Sequence, residues 1–378
     1  MRVLHTSDWQ LGMTRHVLAG EAQARFSEAR LEVLSRLGAL AEQEGCVCVV
    51  VAGDVFETRH PDARTVARAL ERLARFTMPV YLLPGNHDPN DPGAVWHGDA
   101  FARACPPHVE VLDDRTPRSP VDGLEVVGAP WPNKNPVGDL TAEVCEAAPA
   151  DHARRVVVGH GGVAEVSGAF DAPGTIDLAR VNAAIGQGRV RYVALGDRHS
   201  ATQVDAEGHV WFSGAPEPTD HDEVDPGTAL VVDLTERRPV VTRHHLGTWT
   251  FQRLTRAVDT DDDLDALAAD LDAIAEPSRA VVKLALEGTL DLQQVARLDG
   301  LLEDRALRFA ALEHPERHRD IAVRVSDDDV DALELSGYAS AARDALRERA
   351  RSGSGEEART ATDALSLLLR LADTGERA

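Results

Sequence analysis

Five short segments of this sequence carry side chains suited to holding a cation. They are Asp8-Trp9-Gln10, Gly53-Asp54, Gly85-Asn86-His87-Asp88, Gly159-His160-Gly161 and Gly196-Asp197-Arg198-His199. Carboxylate, amide and imidazole groups are hard and borderline donors, and the glycines beside most of them let the backbone approach an ion closely. No thiolate is among them, so the chemistry in view is coordination of a hard or borderline divalent metal. Taken singly, each segment has a plainer reading. Asp8 serves equally as a turn or helix cap, Gly85 to Asp88 as a turn, and His160 as a satisfied buried histidine. All five in order, each after an apolar run, argue for one site.

Such residues converge only if the elements before them lie side by side. Arg2 to Thr6, Val47 to Ala52, Val80 to Leu83, Arg155 to Val158 and Tyr192 to Leu195 read as buried strands. Apolar spacing predicts a helix over Glu21 to Glu44 and another over Asp62 to Phe76. This alternation belongs to a layered α/β domain, in which sites form beyond the carboxyl ends of the strands. After Gly196 the strands come closer together (Val210 to Phe212, Ala229 to Val232, Val240 to His244), as hairpins completing a second sheet. A new alternation follows Trp249: an acidic helix start at Asp261 to Asp265, a strand over Ala280 to Leu286, a helix over Asp291 to Leu302 and a strand over Arg308 to Leu312. Two helical stretches close the chain, Asp329 to Ala350 and Ala358 to Leu371, joined by Ser352-Gly353-Ser354-Gly355. The second is rich in leucine, so it packs on its own domain or receives a partner helix.

The 378 residues are 43% hydrophobic, which excludes a disordered or low-complexity chain. Lysine plus arginine number 40 against 63 acidic residues, a net charge of −23, so any binding of a polyanion must be local. Apolar runs are too short to span a membrane, and Asp8 interrupts the N-terminus too early for a secretory leader, so a cytoplasmic location is expected. Cys46, Cys48, Cys105 and Cys145 read as buried thiols, the first two on one face of a strand.

The five segments resemble the calcineurin-like metallophosphoesterases, whose pattern is D-x-H, G-D, G-N-H-D, G-H and G-H-x-H. Asp8-Trp9-Gln10-Leu11-Gly12, Gly53-Asp54-Val55-Phe56 and Ser213-Gly214-Ala215-Pro216 look more narrowly like the SbcD-type DNA repair exonucleases. The resemblance implies a four-layer αββα sandwich over residues 1–247, a small α/β capping domain over 248–325, and a C-terminal helical segment over 326–378 for binding a partner. It implies two divalent ions, manganese foremost with magnesium or iron as substitutes. Asp8, Gln10, Asp54 and His199 would hold one, and Asp54, Asn86, His160 and Asp197 the other. A carboxylate suits the bridging position, holding two cations about 3.5 to 4 Å apart while they acidify a shared water and neutralise phosphate charge. His87 would protonate the leaving oxygen, with Asp88 orienting its ring. Gln10 and Asp197 stand where the family has histidine, a harder donor set that should favour manganese or magnesium over zinc.

The activity implied is metal-dependent DNA hydrolysis as the exonuclease subunit of a repair complex, with DNA, an SbcC-like coiled-coil ATPase and a second copy of the chain as candidate partners. Arg15, Arg59, Arg64 and Lys134 would contact phosphate, and His16, His60 and Trp96 sugar or base. The rivals are a phosphoesterase for nucleotides or other small phosphoesters, and a scaffold whose altered metal site only positions a partner.

Overall fold

A computed structural model of the chain describes residues 1–168, 172–313, 319–324 and 337–375. These fall into two compact units, Met1–Thr250 and Phe251–Ala378.

Two six-stranded sheets form the larger unit. The first runs in the order β12 (Pro239–His245), β11 (Thr228–Leu234), β1 (Arg2–Thr6), β2 (Cys46–Val51), β3 (Val80–Leu82) and β4 (Val109–Val111). The second runs β5 (Arg118–Val121), β6 (Leu124–Gly128), β7 (Arg154–His160), β8 (Tyr192–Gly196), β10 (Val210–Phe212) and β9 (Thr202–Gln203). Side-chain alternation along β2 sends Val49 and Val51 into a core against α1 (Gly20–Gln43) and α2 (Ala63–Leu73), while Cys48, Val50 and Ala52 enter the core between the sheets. Behind the second sheet, Val127, Val157, Val193 and Leu195 pack on Ala142, Val144 and Cys145 of α4 (Leu140–Ala147) and on Val181 and Ala184 of α6 (Leu178–Gly186). The layers are helix, sheet, sheet, helix, so the fold is the expected αββα sandwich. Central strands buried on both faces must be nearly all apolar, and that made β1, β2, β3, β7 and β8 legible in the sequence. Two short helices, α3 (Asp99–Ala104) and α5 (Ala164–Ser167), complete the unit.

One expectation is corrected here. Cys46 belongs to the outer core and Cys48 to the core between the sheets, because the register with β1 slips between Arg2 and Val3 and carries Val47 as the extra residue. All four thiols are free, and burial pushes Cys46 up to about 11 and Cys48 up to about 12.

In the smaller unit, β13 (Thr250–Ala257), α7 (Asp261–Asp272), β14 (Ala280–Asp291), α8 (Leu292–Ala306), β15 (Ala311–Glu313) and β16 (Arg319–Arg324) build a four-stranded sheet with two helices. Its core joins Leu264, Leu267 and Leu271 to Val282, Leu284, Leu298 and Leu302. Strand β14 takes β15 along its first half and β16 along its second. The acidic start of α7 is a capping box in which Thr260 and Asp263 exchange side-chain to backbone bonds. Helices α9 (Tyr338–Ser352) and α10 (Glu356–Gly375) follow, with Leu365 buried against Leu292 of α8 and flanked by Leu346 and Ala350. That much of the leucine-rich stretch is core, whereas Leu367 is 46% exposed. Asp327 to Asp329, with the expected helix start there, lie outside the described residues, as do the side chains of Leu369 and Leu371.

Candidate metal centre

Strands β1, β2 and β3 of one sheet and β7 and β8 of the other end at the same edge of the sandwich, and their loops carry all five segments. The turns are tight. Asp8 (φ 53°), Gln10 (φ 43°), Asp54 (φ 54°) and Asp197 (φ 97°) all occupy left-handed backbone. Backbone bonds lock these loops together: the Asp8 N–H donates to the Gly53 carbonyl at 3.0 Å and the Gln10 N–H to that of Asp54 at 2.9 Å. Glycine is required at two places, since a Cβ at Gly53 would overlap the His160 ring and one at Gly85 the Asp54 carboxylate.

Asp8, Asp54 and His160 present one ligand atom each within 4.8 Å of one another. Nδ1 of His160 donates to the Ala52 carbonyl at 2.8 Å, which turns Nε2 toward three acceptors. These are Asn86 Oδ1 at 2.8 Å, Asp54 Oδ1 at 3.4 Å and Asp197 Oδ1 at 3.8 Å. Burial pulls the His160 pKa down, but Asp54, Asp197 and Asp8 outweigh it and hold the ring at about 9. The Asp8 carboxyl is pushed up, first by burial, against the opposing pull of His199 and His160. Its oxygens accept from the Ser7 hydroxyl at 2.5 Å and from the Asp197 N–H at 3.1 Å.

On the other side of Asp8, His199 sets Nε2 4.0 Å from Asp8 Oδ1 and 3.1 Å from the Gln10 amide nitrogen. Its Nδ1 bonds Thr219 Oγ1 at 2.7 Å and Glu223 Oε1 at 3.2 Å, a backing that fixes the orientation of the ring. The structure thus brings together Asp8, Gln10, Asp54, Asn86, His160, Asp197 and His199. They fit a divalent cation on two grounds: the set is acceptor-rich, and the buried Gln10 Oε1 has no hydrogen-bond donor.

His87 lies at the rim with its side chain 38% exposed, its N–H on Asp54 Oδ1 at 3.0 Å and its Nε2 3.9 Å from Asp54 Oδ2. Its ring is oriented by the Glu57 carbonyl, which accepts from Nδ1 at 2.8 Å. This corrects the expectation for Asp88. Both Asp88 oxygens are taken by backbone N–H groups, Phe56 at 2.9 Å and Gly85 at 2.8 Å, so that carboxylate ties the His87 loop to the Asp54 loop. Glu57, Thr219 and Glu223 were missed, for nothing local marks them. The clue available was only that Glu57 follows the Gly53-Asp54 segment by three residues.

Of the expected phosphate contacts, Arg15 pairs with Asp220, and Arg59 with Asp91 at 3.1 Å. Arg64 is exposed at the start of α2. Lys134 lines a 300 Å³ cleft together with Asn86, Trp131 and Asp197. Trp96, expected at the surface, is buried between Phe56 and Phe101 and donates to the Asp88 carbonyl, while His16 and His60 are exposed. No helix among the described residues is long and apolar enough to cross a membrane.

The family model of the calcineurin-like phosphoesterases matches residues 1–225. A curated relative, the SbcD component of the nuclease SbcCD from Bacillus subtilis (strain 168), is 37% identical over 95 residues, which is 24% of this chain and 23% of that protein. The corresponding protein of Escherichia coli (strain K12) is 37% identical over 92 residues, 23% of this chain and 21% of that protein. The aligned stretches thus span under a quarter of either relative. A solved dimetal phosphatase from Danio rerio aligns over 64% of this chain and 95% of its own, at 12% identity and a TM-score of 0.40.

Proposed function

Because the chain belongs to the calcineurin-like phosphoesterase family, we propose that it is a metal-dependent DNA phosphodiesterase, the exonuclease subunit of an SbcCD-like repair complex. The observation that carries this reading is the cluster around Asp54, in which His160, Asp8 and the His87 N–H all face one carboxylate. The local identity to the SbcCD nucleases points to DNA among phosphoesters. In this reading residues 1–247 are catalytic, 248–325 form a capping domain, and 326–378 bind a coiled-coil ATPase.

Asp8, Gln10, Asp54 and His199 would hold one divalent ion, and Asp54, Asn86, His160 and Asp197 a second, with manganese the metal proposed. Bound there, the ions supply charge neutralisation at phosphorus and a water of lowered pKa. The chain's own residues do the rest. Ala52 fixes the His160 tautomer, and Thr219 with Glu223 fixes His199. His87, its Nδ1 held by the Glu57 carbonyl, keeps Nε2 for the proton that the leaving oxygen needs. Asp88 holds that loop at its distance from Asp54.

Small phosphoesters are the second reading, favoured by the charge of −23 and by the pairing of Arg15 and Arg59 with acids. The test is manganese-dependent hydrolysis of linear duplex DNA, a small phosphodiester and a phosphomonoester, with Asp54→Ala as control. Degradation of DNA that the variant loses supports the nuclease. Turnover confined to the small esters replaces it with the second reading.

A further inference from the structure

Two acceptor oxygens on residues of the loops that carry the site are buried and have no donor: Oε1 of Gln10 and Oε2 of Glu57. Gln10 is 2% exposed, and its amide nitrogen lies on Nε2 of His199, so the residue already touches one metal-type donor. Glu57 is anchored at both ends of its peptide unit. Its N–H donates to the Leu11 carbonyl at 3.1 Å, and its own carbonyl accepts from His87 Nδ1 at 2.8 Å. Its side chain therefore starts between the Gln10 loop and the His87 loop. The charged groups that act on its carboxylate are His87, Arg30, Asp54 and His199.

Of these, Arg30 is the candidate for a structural partner. Its guanidinium is committed to the carbonyls of Trp9, Glu217 and Pro218, and the remaining Nη2 and Glu57 Oε2 each lack a partner, so the two are not bonded to each other. A carboxylate oxygen shut away from water without a donor is unfavourable unless a cation meets it. An amide oxygen at position 10 is a weaker donor than the imidazole it replaces, so a cation bounded by it gains from a further ligand.

We propose that Glu57 is an additional anionic ligand for the cation bounded by Asp8, Gln10 and His199, and that it compensates for the amide at position 10. The proposal rests on the two-ion reading above. It makes this position the oxygen-rich one, with carboxylates from Asp8, Asp54 and Glu57, and the more selective for manganese or magnesium over zinc.

The test uses the full chain and manganese alone. Equilibrium dialysis counts the ions bound, and electron paramagnetic resonance reports whether two are spin-coupled. Wild type is expected to bind two coupled ions. Glu57→Gln should keep one, bind the other at least tenfold more weakly and lose the coupling, with an unchanged circular dichroism spectrum. Adding Gln10→His to that variant should restore the second ion. The proposal is overturned if Glu57→Gln binds both ions as wild type does, whether or not it melts earlier, since a lower melting point alone would assign Glu57 to Arg30. Wild type that binds fewer than two ions, with Asp54→Asn no different, would instead overturn the two-ion reading and this inference with it.

Discussion

The Nε2 atom of His160 lies 2.8 Å from Oδ1 of Asn86, an acceptor facing a ring nitrogen whose partner already donates to Ala52. Both atoms cannot be lone-pair carriers at that distance without a cation between them or a proton on the ring. In the ion-free chain the proton fills that role, because Asp54, Asp197 and Asp8 hold the His160 pKa at about 9 against the effect of burial.

Metal binding should therefore displace a proton. At pH 7.5, calorimetric titration of manganese in two buffers of different ionisation enthalpy should show release approaching one proton from this ring, fading above pH about 9. The same shift bears on stability without metal. The folded value lies above the unfolded one of 6.5, so the stabilisation is complete below that pH and is lost as pH rises to about 9. Absence of buffer-dependent heat at pH 7.5 would remove the imidazolium from this account.

His87→Ala should lower kcat by about 10² to 10⁴-fold, the usual contribution of a positioned general acid, and leave manganese stoichiometry unchanged. Single-turnover hydrolysis and metal analysis on one preparation decide it. Loss of bound metal in the variant would make His87 a ligand and refute its role as acid.

Glu217 is 1% exposed and accepts from Thr248 N at 2.7 Å, Trp249 N at 2.7 Å and Arg36 at 2.7 Å. Glu217→Ala leaves these donors without an acceptor, and breaking a buried charged set of this kind costs about 3 to 5 kcal/mol. Urea unfolding of the variant should show it, and a loss below about 1 kcal/mol would contradict the assignment.

His5 has the opposite titration to His160. Its Nε2 donates to the Leu195 carbonyl at 3.2 Å, so its Nδ1 accepts from the Tyr192 hydroxyl at 2.9 Å, and burial lowers its pKa to about 3. Below 6.5 the unfolded chain binds a proton that the folded chain refuses, so stability falls as pH drops from 6.5 toward about 3. His5→Gln should lose less stability than wild type between pH 7 and 4.5 by urea midpoint. Equal losses in the two proteins would exclude His5 as a source of acid lability.

The strand ends were readable because a strand buried on both faces is mostly apolar, and a carboxylate or imidazole at its end or just past it is then conspicuous, as with Asp8, Asp54 and His160. Strands β4, β5 and β6 carried no such contrast: Val109–Val111 is three residues long, and Arg118–Val121 is half-polar on the sheet's edge. Strand β13 escaped for a related reason, since most of its side chains are exposed. Within the candidate site, the residue types suited to a cation were local properties and legible, while their supports were not. Glu223 reaches His199 from 24 residues away, and Asp88 adjoins His87 in sequence yet serves Phe56 and Gly85.

Strand β1 lies between β2 and β11, pairing Arg2 to His5 with Leu230 to Asp233 on the side away from β2. The loop bearing Asp8 is therefore made more than two hundred residues before one of the two strands that flank β1. At roughly 10 residues per second, that flank is missing for on the order of 20 s of synthesis. Through that interval Asp8 follows a strand that has one edge unpaired, while the segments bearing Asp54, Asn86, His160, Asp197 and His199 are added one after another. The frame around Asp8 is thus closed by a strand synthesised after every one of the five segments of the site.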